Sequence, residues 1–200
     1  MAEAALANES ELHCHFNRDA STDCTTTYRY TILKPSGREI LSRIDFNYAE
    51  GDGFEVLHAE STQPGGKPQP LDEAQIDTRT APNPDQGFSR LKQTSLAFPN
   101  LRVGTQIRYT VREHHAAKPL MTEFHYALQF GTSTARRDRL KARFTAERPI
   151  EWRAELMDGF TITPSVNRKT LDIELKAPTY LNYINESSHA YLRLIPRIEV

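Results

Sequence analysis

The sequence predicts an all-β fold, an antiparallel β-sandwich of about ten or more short strands with little helix. Three observations lead there. Apolar residues alternate with polar ones at a period of two along most of the chain, turn residues interrupt the alternation at short intervals, and no stretch of comparable length keeps an apolar period of 3.6.

Taken in order, ELHCHF and DCTTTYRYTIL are two strands joined by a polar turn near Asp19. That turn sets Cys14 across from Cys24, on the face that also carries Leu12, Phe16, Tyr28, Tyr30 and Ile32. Directly opposed antiparallel residues have Cα atoms about 4.5–5.5 Å apart, within reach of a disulfide, so the pair is either a bridge or two buried free thiols in an edge hairpin. After the Pro35-Ser36-Gly37 turn, Ile40, Ile44 and Phe46 alternate with Leu41, Arg43 and Asp45, and Phe54, Val56 and His58 follow the Gly51-Asp52-Gly53 turn. Residues 63–90 carry Pro64, Pro68, Pro70, Pro82 and Pro84 and read as a long surface excursion that covers a sheet edge, with one helical turn at Leu71 to Ile76. Ser95 to His115 holds the clearest strand, turn and strand signal: Leu96 and Phe98, the Pro99-Asn100 break, Gly104, then Ile107, Tyr109 and Val111, expected as a half-buried hairpin. Further strands are expected at Phe124 to Phe130, Leu140 to Phe144, Ile150 to Leu156 with Trp152 in the core, Leu171 to Leu175 and Ala190 to Leu194.

Composition narrows the partners. The chain has 200 residues, 25 basic and 26 acidic, for a formal charge of −1, with no long basic run, which argues against nucleic acid. No apolar stretch approaches the roughly 20 residues that span a bilayer. The start, MAEAALANESELH, lacks the charged and apolar regions of a signal peptide, so a leader, if the protein is exported, lies outside this chain. Residues 1–200 read as one module, and 195–200 as the start of a link to a downstream domain.

The chemical candidates each have a plainer rival. His13 and His15 project from the face opposite Cys14, with Asp23 in register with His15, a set that could hold a divalent metal. Alternation puts any polar pair on one face, so a solvated strand surface is the expectation. Glu50, Asp52 and Glu55 match no known Ca²⁺ loop. His114 and His115 are neighbours, which cannot share a strand face, and they mark a strand end. Arg136, Arg137, Arg139, Lys141, Arg143 and Arg148 form a basic stripe, expected on an outer sheet face and otherwise a patch for an anionic partner; Asp85 and Phe88 in the excursion are the other binding candidates. A thiol nucleophile wants an exposed Cys near a helix N-terminus and a His, which neither Cys14 nor Cys24 offers.

The order of motifs carries a resemblance. It runs through Asp19 to Ser21, Tyr28 to Leu33, His58 to Lys67, Pro84-Asp85-Gln86-Gly87-Phe88-Ser89, Phe98-Pro99 with Gly104 to Tyr109, and Pro119 to Phe124. Together these resemble the β-rich domain of unknown function that precedes transglutaminase-like domains in exported bacterial proteins. Gly65 stands where that family has Asp, and Arg90 where an Asp often follows Phe-Ser. The resemblance implies a periplasmic or otherwise exported location, no cofactor, and a non-catalytic interaction or positioning role. Its partner would be a transglutaminase-like domain in the same chain, whose Cys-His-Asp machinery lies downstream, with a cell-envelope polymer or protein as a further one. The rival functions are a carbohydrate or envelope-ligand-binding sandwich, with Trp152, Tyr180, Tyr183 and Tyr191 as a stacking platform, and a metal-dependent hydrolase using His13, His15 and Asp23.

Overall fold

The structure is a computed structural model that describes residues 4–81, 91–117, 127–129, 134–180 and 197–200. The strands are β1 (Leu6–Phe16), β2 (Thr22–Ile32), β3 (Arg43–Ala49), β4 (Gly53–Thr62), β5 (Pro68–Pro70), β6 (Ile76–Ala81), β7 (Leu91–Ala97), β8 (Gln106–His115), β9 (Ala127–Gln129), β10 (Ala135–Ala146), β11 (Arg153–Glu155), β12 (Phe160–Pro164), β13 (Thr170–Leu175) and β14 (Arg197–Glu199). One short helix, α1 (Ser36–Ser42), and a 3₁₀ turn at Glu73–Gln75 complete the described elements. An eight-stranded sheet in the order β12-β13-β10-β1-β2-β8-β4-β5 is accompanied by two three-stranded sheets, β11-β14-β9 and β3-β7-β6. The fold is all-β and consistent with a sandwich, as expected. Pairing is antiparallel except at the centre of the large sheet, where β1 and β10 run parallel.

The inner face of β1 shows why two covers are needed. Its inward residues are Leu6, Asn8, Ser10, Leu12, Cys14 and Phe16, apolar at both ends and polar in the middle. One end joins a core with Phe144, Leu171, Ile173 and Ile198, covered by β11-β14-β9. The other joins a core with Leu41, Leu96, Phe98, Ile107 and Val111, covered by α1 and β3-β7-β6. Asn8 and Ser10 are buried between them.

Five expectations need correction, each for a local reason. Ser95 to His115 is not a hairpin: β7 pairs with β3 and β6, whereas β8 lies between β2 and β4 in the large sheet. The Pro99-Asn100 break carries the chain from one sheet to the other, so Leu96 and Ile107 meet from opposite sides of one core. The cysteine hairpin is central, flanked by β10 and β8, and not at an edge. The segment after Pro35 begins as helix, which turns Leu41 inward and leaves Ile40 exposed. The register of β4 shifts between Val56 and His58, so Ala59 takes the buried position and His58 faces outward. Finally, strand structure in the Ile150 region starts only at Arg153, and Leu156 has a positive φ of 56°. Trp152 is therefore 39% exposed rather than packed in the core.

The described part of the Pro-rich excursion is not a loop throughout, since Ile76–Ala81 is the strand β6, paired with β7. β5 adds to the outer side of β4, and its two prolines, which lack the N–H that would continue a ladder, end the large sheet there. The segments with Asp85 and Phe88, with Phe124, Tyr126 and Phe130, and with Tyr183 and Ala190 to Leu194 lie outside the described residues.

Gly37 fixes how closely α1 sits on the sheet. A Cβ there would meet the Ala5 carbonyl oxygen and Leu6 Cδ2, each at 2.7 Å. Backbone cannot give way cheaply, so Gly37→Ala is expected to cost about 1–3 kcal/mol through overpacking. Chemical denaturation checks this, and an unchanged midpoint would mean that α1 is not held against β1.

Candidate functional site

Polar side chains gather at several places among the described residues, and two of them bring together groups with shifted pKa values. The first is the outer face at the turn end of the hairpin. The turn itself is tied by Asp19, whose Oδ1 accepts hydrogen bonds from the Ser21 amide at 3.0 Å and the Ser21 hydroxyl at 2.6 Å. It brings Cys14 directly opposite Cys24, and the two are joined by a disulfide. On the opposite face, Asp23 is in register with His15 on one side and His114 on the other. Its carboxylate accepts from Asn17 Nδ2 at 2.7 Å and from His114 Nδ1 at 2.8 Å, and these bonds hold its pKa below the ordinary range. His15 bonds through Nδ1 to the Thr145 hydroxyl at 2.8 Å, and His13 leans toward Glu11.

The candidate metal set of His13, His15 and Asp23 therefore does not converge, and its members lie on a polar strand face. Among the described residues no three His, Cys, Asp or Glu side chains come together as a metal site would need. His114, which the sequence marked only as a strand end, is the real partner of Asp23 and does close β8. Asp52, from the other carboxylate group, accepts from the Ala116 amide at 3.0 Å and lies 3.5 Å from His115.

One carboxyl nearby is held in an unfavourable place. Glu113 follows Ile107, Tyr109 and Val111 on the inward side of β8, in register with Cys24 and Phe54, and burial raises its pKa above 4.5. Between the unfolded and the folded pKa the native state binds more protons, so stability falls as pH rises through that window. Glu113→Gln is thus expected to raise the melting temperature near neutral pH, with the gain fading toward pH 4.5 and below. Superimposable pH profiles of the two proteins would reject this.

The second place is a cleft of about 320 Å³ between the large sheet and β3. The basic stripe that alternation assigned to one outer face is split here. The β1–β10 register shifts between Asn8 and Glu9, which pair with Arg137 and Arg139, so Asp138 is an extra residue. Arg136 points its guanidinium at Asp138, with Nε and Nη2 at 2.5 and 2.8 Å from the carboxylate oxygens, and Arg139 is exposed. Arg137 instead turns inward beside Asn8, and its Nη1 donates to the Ser10 hydroxyl at 3.2 Å. Its Nε is buried with no hydrogen-bond partner among the described residues, and burial lowers the pKa of the guanidinium.

The rest of the cleft was not singled out by the sequence. Tyr30, in register with Asn8, and Tyr109 line it, their ring centroids 6.3 Å apart, and burial raises both phenol pKa values, Tyr109 well above 10. Across from them, Asp45 accepts from the Ser95 hydroxyl at 2.5 Å and from Arg43 Nε at 2.7 Å, and these bonds hold its pKa down. A larger cleft, about 440 Å³, lies between the hairpin turn and residues 146–151, but its Arg18, Arg148, Glu147 and Glu151 mix both signs of charge.

Comparison with known proteins places this fold. A family profile matches residues 18–190. The chain belongs to the DUF3857 family. That family is a domain of unknown function with a solved structure. A chain from Parabacteroides distasonis ATCC 8503 described as a "putative protease" superposes with a TM-score of 0.78 at 7% sequence identity, over 98% of this chain and 40% of that one. An M1 zinc metallopeptidase from Deinococcus radiodurans gives 0.44 at 15% identity, over 98% of this chain and 42% of that one. At 7% identity the likeness to the P. distasonis chain is one of fold alone. No curated protein matches the sequence.

Proposed function

We propose that this DUF3857 chain is a non-catalytic module that positions, or mediates contacts of, a transglutaminase-like domain in the same exported protein. The observation that carries the reading is the length relation: a similar fold makes up 40% of the longer P. distasonis chain, leaving room there for a separate catalytic unit. The motif order from Asp19 to Phe124 supports the identity of the flanking domain. The Cys14–Cys24 disulfide supports the location, because such bonds persist in oxidising compartments outside the cytosol.

The deciding experiment is to sequence the gene on both sides of this segment. A leader upstream of Ala2, together with a Cys, His and Asp constellation downstream of Val200, is the expected result. A stop codon soon after Val200 would overturn the flanking role. If the longer chain exists, deleting residues 1–200 is expected to impair its folding or substrate capture while leaving the downstream nucleophile reactive toward a thiol-directed probe. Loss of that reactivity alone, with the downstream domain folded and its substrate still bound, would place chemistry in this module.

A further inference from the structure

We propose that the cleft between β3 and the large sheet binds a small carboxylate, with the guanidinium of Arg137 as its anchor.

The argument starts from charge. Arginine stays protonated in proteins, so Arg137 brings a fixed positive charge into a half-open cleft. Among the described residues no carboxylate forms an ion pair with it, and its one side-chain bond there goes to a neutral hydroxyl. The phenols of Tyr30 and Tyr109 do not neutralise it, since both are held in the protonated form. Asp45 lines the same cleft, but its charge is matched by Arg43. Among the described residues the cleft therefore carries one cation without a counter-ion, and a charge held partly out of water in that way is costly enough that folded chains seldom keep one without a use.

Shape and composition then select the ligand. A guanidinium offers a planar edge that matches a carboxylate, and Arg137 lines the cleft with no carboxylate partner among the described residues. With Asp45 and Arg43 matched to each other, the described lining leaves one positive charge for an anion, so a second negative charge, as on phosphate, would go unpaired. At about 320 Å³ the space lies near the lower end of ligand pockets, and Leu6, Leu41 and Ile44 supply aliphatic wall. The fit is a monoanion with a short branched body. Ile40, 40% exposed, lines the same cleft and stands at its mouth.

The test is calorimetric titration of the protein with isobutyrate, isobutyramide, inorganic phosphate, and a tetrapeptide ending in valine with a free or amidated terminus. Alongside it, the Arg137 Nε–H resonance is followed by NMR. Isobutyrate or the free-acid peptide is expected to bind saturably at one site and move that resonance. The amides and phosphate should bind at least about tenfold more weakly, as expected for losing charged hydrogen bonds. Which free acid binds tells whether the carboxylate comes from a small molecule or a chain terminus, and either supports the site. Arg137→Gln should abolish binding. Because that change can also disturb the seam, Ile40→Trp is the second variant: it fills the mouth from an exposed position, and should block binding with the circular dichroism spectrum unchanged. Full binding by folded Ile40→Trp, equal binding of acid and amide, or no saturable response to either acid would overturn the proposal.

Discussion

Phe144→Ala is expected to destabilise the protein by about 3–5 kcal/mol, as large-to-small changes at closed core sites do. Phe144 is fully buried, stacked on Phe16 with ring centroids 5.8 Å apart and an interplanar angle of 4°. It sits where three strands meet, in register with Cys14 on β1 and Leu171 on β13. The parallel β1–β10 pairing joins the N-terminal hairpin to the C-terminal strands, and a cavity there cannot close without moving both partners. At about 2–4 °C per kcal/mol for a chain of this size, the melting temperature should fall by roughly 6–20 °C. Trp152→Ala is the informative control. The alternation of Ile150 to Leu156 would make it the more damaging change, whereas its exposure makes it much the milder one. Thermal denaturation of both variants decides the matter, and a larger loss for Trp152→Ala would mean that the observed register of this segment is wrong.

The contrast shows what period-two alternation can convey. It reports which face a side chain takes, because successive Cβ atoms point to opposite sides of a strand. It does not report which strand lies alongside. Leu12, Cys14, Phe16, Leu140, Ala142, Phe144, Leu171 and Ile173 were all legible as inward-facing, and all are buried. The Cys14–Cys24 register was legible too, since a short Asp-containing turn leaves few alternatives. The parallel pairing of β1 with β10 had no local signal, because its partners are far apart in sequence. The corner between β7 and β8 imitated a hairpin because two strands facing one core from opposite sheets alternate just as paired strands do. The carboxylate cleft was hidden for a related reason. One extra residue at Asp138 keeps Arg137 on the inner face with Leu140, where unbroken alternation would have left it outward with Arg139, Lys141 and Arg143. The rival metal reading of His13, His15 and Asp23 could not foresee that Asp23 has a partner in His114, 91 residues away in sequence.

Removing the disulfide, by Cys14→Ala with Cys24→Ala, is expected to cost about 2–3 kcal/mol, the value the chain-entropy argument gives for a short loop. The two residues are 10 apart in sequence. Their hairpin already restrains the unfolded chain somewhat, which pulls the figure toward the lower end. One consideration pushes the other way. The bridge lies in the middle of the large sheet, in a row running Phe144, Cys14, Cys24, Glu113 across four strands, so its loss also removes sulfur atoms packed in a closed core. Glu113 then faces a looser, wetter neighbourhood, and its raised pKa should relax toward the ordinary value. Burial also dictates the kinetics: Cys14 and Cys24 are 2% and 0% exposed, so a thiolate reaches the bond only after local opening. Native protein should therefore resist dithiothreitol that reduces it readily in denaturant. Melting temperatures about 4–12 °C lower for the double variant, with slow reduction of the native parent, would agree with a central bridge. Rapid reduction of native protein, followed by an unchanged melting temperature, would mean that the hairpin stands at an open edge after all.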